Sequence, residues 1–138
     1  MKPILADTGF LVAVYDKREP FHSLCLRVYR ALDNPLVTCE PVIDEALHLL
    51  RFAPGAADDI LTSVEQGILE IPFKLTESSG PVKRIMKKYQ DLPADFADAC
   101  LIAMADELDT GDILTLDSHF KHYRWRRNRS FRLLIPLG

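Results

Sequence analysis

Four acidic residues in this chain share one feature, since each lies at or near an apolar segment. The four residues are Asp7, Glu45, Asp98 and Asp117. Burying an ionised carboxylate without a partner costs several kcal/mol or forces the group to remain protonated. Two unit charges about 4 Å apart repel by about 4 kcal/mol at an effective dielectric constant near 20. A cluster of these acids would therefore require a cation or raised pKa values, and all-oxygen ligands favour Mg²⁺ or Mn²⁺.

Asp98 gives the clearest signal of the four. It is the only charged residue between positions 96 and 105, and a helix that is hydrophobic all round is typical of a buried helix. Asp95 lies three residues earlier, one turn away on the same helix face, and is a fifth candidate ligand. A simpler interpretation stays open for each of the other acids. Asp7, Asp95 and Asp117 would be N-caps, and Glu45 a solvated position.

The elements that must position these acids alternate along the chain. Strands are predicted over residues 3–6, 35–39, 68–73, 112–116 and 131–137. Helices are predicted over residues 8–15, 20–32, 41–52, 56–66 and 94–108, with a basic helix that follows Ser79-Gly80-Pro81 and ends near Tyr89. This alternation predicts an α/β fold with a mostly parallel sheet covered by helices on both faces. Asp7 and Asp117 each follow a strand, at the edge where such sheets bind ligands.

Composition limits the classes of protein that the chain can be. Hydrophobic residues make up 48% and charged residues 27% of the 138 residues, which predicts one folded domain over 1–138. The net charge of −3 gives no overall attraction to nucleic acid. Three dispersed cysteines indicate reduced thiols in the cytoplasm rather than disulfides or a zinc site. Asp7 interrupts the N-terminal apolar stretch, so no signal peptide is expected, and no run reaches membrane-spanning length.

Four segments carry a resemblance to a known family, and they follow its order over nearly the whole chain. The segments are LADTGFLVA at 5–13, VIDEA at 42–46, LPADFADA at 92–99 and LTLDSHF at 114–120. No single segment is specific, but the ordered set is. The chain resembles the PIN-domain proteins and, within them, the VapC-type toxin ribonucleases. This resemblance implies a three-layer α/β/α sandwich with a central sheet of four or five strands.

The resemblance also implies a function. Asp7, Glu45, Asp98 and Asp117 would be the catalytic acids that hold one or two Mg²⁺ or Mn²⁺ ions, with Asp95 as an auxiliary metal ligand. The hydroxyls of Thr8 and Thr115 would orient water or ligands from behind these acids. Hydrolysis of RNA would leave 5′-phosphate and 3′-hydroxyl ends. VapC-like relatives also imply a homodimer and a cognate antitoxin protein.

A basic segment follows Asp117 and is the predicted contact for RNA. Its candidate residues are Lys121, Arg124, Trp125, Arg126, Arg127 and Arg129. Arginine and aromatic side chains suit phosphate contact and base stacking, and Tyr123 is interleaved with them. A solvated loop that balances local charge is the alternative interpretation. The four histidines are expected to have surface or packing roles.

Other functions remain open. A phosphatase or phosphotransferase of the haloacid-dehalogenase kind would use Asp7 as its nucleophile, but no second Asp stands two residues later and no isolated Lys is well placed. A response-regulator receiver domain lacks support for the same reasons. A PIN scaffold that only binds RNA or protein is the non-enzymatic alternative, although binding alone does not require clustered acids.

Overall fold

The structure is a computed structural model, and it describes residues 1–92 and 94–136. The helices are α1 (Thr8–Tyr15), α2 (His22–Ala31), α3 (Glu40–Leu49), α4 (Ala56–Glu65), α5 (Leu75–Lys88) and α6 (Phe96–Leu108), with a short 3₁₀-helix at Ser118–Lys121. The strands are β1 (Ile4–Ala6), β2 (Leu36–Val37), β3 (Leu69–Glu70), β4 (Asp112–Leu114), β5 (Arg124–Trp125), β6 (Arg129–Ser130) and β7 (Arg132–Leu133).

The central sheet has five strands in the order β3-β2-β1-β4-β7, and every pair is parallel. Strand β1 lies in the middle, where Leu5 pairs with Val37 on one side and with Ile113 on the other. The chain steps outward from β1 to β3 and then crosses back to β4. Right-handed crossovers therefore place α1–α4 on one face of the sheet and α5 and α6 on the opposite face. The predicted α/β sandwich with a parallel sheet is confirmed.

Helix α6 explains the apolar run that marks Asp98. All nine residues from 97 to 105 are buried, including Asp98 itself. Helix α5 packs against α6, which also contacts α3. The three cysteines, Cys25, Cys39 and Cys100, are buried free thiols, as predicted. Within residues 1–92 and 94–136, the helices lack the length and apolar character needed to cross a membrane.

The predicted start of the basic helix is wrong. Helix α5 begins at Leu75, so that Gly80 and Pro81 lie inside it rather than before it. Proline removes a helical hydrogen bond, which is why the Ser-Gly-Pro sequence indicated a break. Packing against α6 overrides this signal. Ser78 and Val82 are buried on either side of the Gly-Pro pair, and the Ser78 hydroxyl donates a hydrogen bond to Glu107.

The C-terminal region also differs from the prediction. The fifth strand covers only Arg132–Leu133 of the predicted 131–137, and residue 137 lies outside the described residues. The basic segment is not a plain loop, because β5 and β6 form an antiparallel hairpin within it. Arg126 and Arg127 turn the hairpin with φ of 44° and 71°. This left-handed conformation is uncommon for residues other than glycine, so the sequence did not indicate a tight turn.

Candidate active site

Two neighbouring strands bring the first two acids together. Asp7 directly follows β1, and Asp117 follows β4 by three residues. Because β1 and β4 are adjacent and parallel, their carboxyl ends meet at one edge of the sheet. The backbone N–H of Asp7 donates to the carbonyl of Leu114 at 3.0 Å and extends this pairing to the site. Asp98, near the N-terminus of α6, completes the group.

The carboxylates of Asp7, Asp98 and Asp117 converge. One oxygen from each lies within 4.8 Å of the others, which is close enough for all three to bind a single metal ion. Asp7 and Asp98 are each only 7% exposed. The three acids line a cavity of about 300 Å³ together with Thr8, Gly9, Glu45, Asp95 and His119.

Thr115 holds two of the acids in place. Its hydroxyl donates to Oδ2 of Asp7 at 2.7 Å and accepts from the backbone N–H of Asp117 at 2.9 Å. The other Asp7 oxygen, Oδ1, accepts from the backbone N–H of Thr8 at 2.8 Å. Thr115, which was predicted to orient water or ligands, therefore contacts both acids through its hydroxyl. Thr8 contacts Asp7 through its backbone rather than through its hydroxyl.

The electrostatics of the cluster are those expected of crowded, buried acids. Burial raises the pKa of Asp7 from 3.8 to about 6, with smaller contributions from Asp117 and Glu45 and opposition from the hydrogen bonds to Thr115 and Thr8. The pKa of Asp98 rises to about 7, first through burial and then through the charges of Asp95, Asp7 and Asp117. Full ionisation near neutral pH is thus costly without a cation.

Glu45 and Asp95 lie at the rim of this cavity rather than in the three-acid group. Both are exposed. Partial loss of solvent around its carboxylate, followed by the charges of Asp95 and Asp44, raises the pKa of Glu45 above its usual value. Both rim acids also line a neighbouring cavity of about 880 Å³ formed by the N-terminal ends of α3, α5 and α6.

The capping interpretation also applies to three of the acids. Asp7 and Asp95 are the N-caps of α1 and α6, and Oδ1 of Asp95 accepts from the backbone N–H of Asp98 at 2.9 Å. Asp117 caps the 3₁₀-helix by accepting from the backbone N–H of His119 at 2.9 Å. Capping and clustering are therefore compatible, because each cap fixes the direction of its carboxylate.

Two side chains, those of His119 and Tyr123, contact the acids although the sequence did not predict these contacts. Nδ1 of His119 lies 2.6 Å from Oδ1 of Asp117, and its ring forms part of the cavity wall. The hydroxyl of Tyr123 donates to Oδ2 of Asp98 at 3.3 Å. Spacing could have indicated His119, which stands two residues after Asp117. No local pattern indicates Tyr123, whose contact with Asp98 spans 25 residues.

The family follows from this geometry and from comparison with known proteins. The sequence model of the PIN domain matches residues 4–126, which include the whole acidic group. The chain belongs to the PIN-domain family.

Two known proteins are similar to this PIN-domain protein. Ribonuclease VapC26 of Mycobacterium tuberculosis is 30% identical over 137 residues, covering 98% of this chain and 94% of VapC26. The crystal structure of M. tuberculosis VapC20, a toxin that cleaves the sarcin–ricin loop, superposes with a TM-score of 0.75 at 16% identity. That match covers 83% of this chain and 89% of VapC20 and shows that the two share a fold.

A divalent metal ion fits the PIN-domain site on three observations. The donors are carboxylate oxygens, which suit hard cations. Their raised pKa values mark a cluster that a positive charge would relieve. The buried hydroxyl oxygen of Thr8, a residue of the cavity wall, has no hydrogen-bond partner among the described residues. A buried polar atom normally has a partner, so this hydroxyl indicates a ligand or its water in the cavity.

Several arginine side chains of the basic segment form contacts in and beside the β5–β6 hairpin. The guanidinium of Arg124 donates to the carbonyls of Lys121 and Tyr123, and Arg126 forms an ion pair with Asp109 at 3.2 Å. Arg129 stacks over the ring of Trp125, with its Cζ 5.2 Å from the ring centroid.

The aromatic residues of this segment do not face solvent. Trp125 is only 5% exposed, and its indole N–H donates to the carbonyl of Ser130. Tyr123 is fully buried. Neither ring is therefore available to stack on an RNA base. The predicted RNA contacts that remain accessible are the exposed side chains of Lys121, Arg126, Arg127 and Arg129.

Proposed function

We propose that this PIN-domain protein is an endoribonuclease dependent on Mg²⁺ or Mn²⁺, and the toxin component of a type II toxin–antitoxin pair. The observation that carries the proposal is the convergence of Asp7, Asp98 and Asp117 within 4.8 Å of one another. The kinship with a ribonuclease over nearly the whole of both chains supports the same reaction. We further propose that residues 1–138 act as a single domain.

Each acid has a proposed role. Asp7 and Asp98 bind the ion directly, and Glu45 and Asp117 act partly through water, with Asp95 as an auxiliary acid at the rim. Thr115 orients Asp7 through its 2.7 Å hydrogen bond, and Thr8 supports Asp7 from the backbone and directs its hydroxyl to the bound group. The chemistry that such an ion supplies in phosphodiester hydrolysis is a bound water of lowered pKa and compensation of charge on the phosphate.

Without a cation, the clustered acids of the cavity would repel the phosphodiester, so RNA binding at this site requires the metal ion that the acids would hold. Attack of water on phosphorus would form a new P–O bond and break the bond to the 3′ oxygen of the upstream nucleotide, which takes up a proton from solvent. The products are a 5′-phosphate and a 3′-hydroxyl, and the proton of the attacking water leaves through the carboxylates or solvent.

RNA binding is proposed for the exposed cations of the basic segment. Arg127 lies at the turn of the β5–β6 hairpin and is exposed, and Lys121 is exposed before the hairpin. Replacing Arg127 by alanine is expected to weaken RNA binding and to reduce the slope of log affinity against log salt by about 0.7 for one lost phosphate contact. Arg27→Ala, which removes an exposed arginine of α2, is the matched control.

The proposal is tested by cleavage of an end-labelled single-stranded RNA with Mg²⁺, with Mn²⁺ and with a chelator. Loss of an outer partner of a metal ligand already costs about 10- to 100-fold, so Asp7→Asn and Asp98→Asn are expected to lose more than about 100-fold. Asp33→Asn changes an exposed acid away from the cavity and is expected to cleave like the wild type. Cleavage by Asp7→Asn at the wild-type rate contradicts the proposal.

The alternatives give different results in the same experiment. A haloacid-dehalogenase-like phosphotransferase would accept a phosphoryl group from acetyl phosphate at Asp7 and leave RNA intact. A non-catalytic PIN scaffold would bind the RNA without cleaving it under any metal condition. Mapping the product ends adds a further check, because the proposed reaction requires 5′-phosphate and 3′-hydroxyl termini.

The partners proposed for this chain are RNA, a second copy of the chain and a cognate antitoxin in the cytoplasm. Support comes from VapC20, which is a toxin of the same fold. Co-expression with a small protein encoded immediately upstream is expected to yield a stable complex that suppresses RNA cleavage. Light scattering on the purified chain is expected to give the mass of a dimer.

A further inference from the structure

Tyr123 is a buried polar side chain that the proposed reaction does not yet use. The side chain is fully buried, and its hydroxyl donates to Oδ2 of Asp98 at 3.3 Å. A hydroxyl that is hydrogen-bonded to a carboxylate oxygen fixes the rotation of the carboxylate plane, which decides where the lone pairs point. This orientation matters for an acid that must bind a cation.

The ring of Tyr123 has little freedom to move. It packs edge-to-face against Tyr89 and against Phe120, with ring centroids 5.0 Å apart in both cases. Phe120 in turn packs against Phe131 at 5.4 Å. Edge-to-face contacts of this kind hold rings in specific orientations. The Tyr123 hydroxyl is therefore held at a defined place beside Asp98.

An aromatic column is formed by Tyr89, Tyr123, Phe120 and Phe131, and it connects the segment that carries Asp117 with the segment that contains Tyr123. Phe120 lies in the 3₁₀-helix that Asp117 caps, and Tyr89 is the C-cap of α5. The hydroxyl of Tyr89 accepts from the backbone N–H of Arg124 at 2.9 Å, at the start of the hairpin. The same column thus fixes the segment that carries Asp117 and the segment that contains Tyr123.

We propose that Tyr123 is the positioning residue for Asp98, holding its carboxylate correctly oriented for the divalent ion. This proposal depends on the proposed metal-dependent function, and it identifies the hydrogen bond that orients one of the metal-binding acids. Residues that orient metal ligands in this way typically contribute 10- to 100-fold to metal affinity. Because the hydrogen bond is 3.3 Å long, we expect a loss at the lower end of this range, about 10-fold.

Two tyrosine-to-phenylalanine variants separate this role from packing. Tyr123→Phe removes the hydroxyl on Asp98 and keeps the ring in the column. Tyr89→Phe removes a hydroxyl from the neighbouring ring of the same column, where the partner is a backbone N–H rather than a carboxylate. The measurement is the dissociation constant for Mn²⁺ in the absence of RNA, by calorimetry or by the loss of the free Mn²⁺ resonance signal.

The expected result is about a tenfold weaker Mn²⁺ affinity for Tyr123→Phe and an unchanged affinity for Tyr89→Phe. In RNA cleavage, Tyr123→Phe is expected to require about tenfold more Mn²⁺ for its half-maximal rate and to recover at saturating Mn²⁺. Equal Mn²⁺ affinity in Tyr123→Phe and the wild type overturns the proposal, as does an equal loss in both variants. A wild-type chain that binds no Mn²⁺ overturns both this proposal and the proposed function, whereas Mn²⁺ binding without RNA cleavage contradicts the proposed function alone.

A second measurement uses the wild-type chain and does not depend on the folding of Tyr123→Phe. The chain contains four tyrosines, so 3-fluorotyrosine labelling gives four fluorine resonances. The Tyr123 resonance is assigned by elimination from phenylalanine variants of Tyr15, Tyr29 and Tyr89. Addition of Mg²⁺ is expected to shift the Tyr123 resonance more than the other three. A Tyr123 resonance that does not respond to saturating Mg²⁺ overturns the proposal.

Discussion

Replacing Asp98 by asparagine is expected to stabilise the metal-free protein and to remove most of the stabilisation that Mg²⁺ gives. The side chain of Asp98 is 7% exposed and shares its cavity with Asp7 and Asp117. In the metal-free state, its charge is poorly solvated and is repelled by these neighbours. Asparagine keeps the shape of the side chain and an oxygen that accepts from Tyr123, but it carries no charge.

The size of the effect follows from the pKa of Asp98, which rises from 3.8 to about 7 on folding. At 1.36 kcal/mol per pH unit, this rise corresponds to about 4 kcal/mol. A raised pKa means that the folded state holds its proton more tightly than the unfolded chain does. The corresponding stability is present below pH 3.8 and is lost as the pH rises to about 7. At pH 8 the neutral variant avoids this loss and gains up to about 4 kcal/mol.

The assay is urea unfolding of both proteins at pH 8, once in a chelator and once in excess Mg²⁺. In the chelator, Asp98→Asn is expected to be the more stable protein. In Mg²⁺ the order is expected to reverse, because an ion bound only to the folded state stabilises the wild type in proportion to its affinity. Asp33→Asn is the control and should follow the wild type in both conditions. An Asp98→Asn variant that is less stable than the wild type in the chelator refutes the reasoning.

Three further predictions follow from neighbouring contacts. Thr115→Val loses the hydroxyl that joins Asp7 to Asp117 and should lower the RNA cleavage rate by about 10- to 100-fold, whereas Thr115→Ser should retain it. Without metal, the free energy of unfolding of Asp7→Asn, measured in urea, should exceed that of the wild type by an amount that grows to about 3 kcal/mol as the pH rises from about 4 to about 6. A difference that does not depend on pH would contradict this prediction. Gly111→Ala places a methyl group against the indole of Trp125 and should lower the free energy of unfolding by about 1–3 kcal/mol. The fluorescence emission of Trp125, the one tryptophan of the sequence, should change as well. Unchanged emission and stability would contradict this packing.

Much of the architecture could be predicted because its signals are local. The buried strand before Asp7 and the apolar run around Asp98 each indicate a buried element, and their alternation along the chain indicates a parallel sheet. The carboxyl ends of adjacent parallel strands must meet, so Asp7 and Asp117 were expected at one edge. The structure brings both together with Asp98.

The remaining features depend on contacts between distant residues. Helix α5 runs through Gly80-Pro81 because it packs against α6, where Ser78 donates a hydrogen bond to Glu107, whereas the Gly-Pro pair by itself indicates a break. The hairpin of the basic segment has no glycine turn, and Trp125 is buried where the absence of a side chain at Gly111 leaves room for its ring. The sequence around Trp125 does not indicate its contact with Gly111.

The central claim is that three acids from separate elements bind one divalent ion. A crystal of the protein grown with Mn²⁺ tests this directly through the anomalous signal of manganese. The predicted result is an anomalous peak at metal–oxygen bonding distance from the carboxylates of Asp7 and Asp98, with Asp117 bound directly or through water. An Mn²⁺ ion bound elsewhere, with these three carboxylates turned away from one another, would contradict the claim.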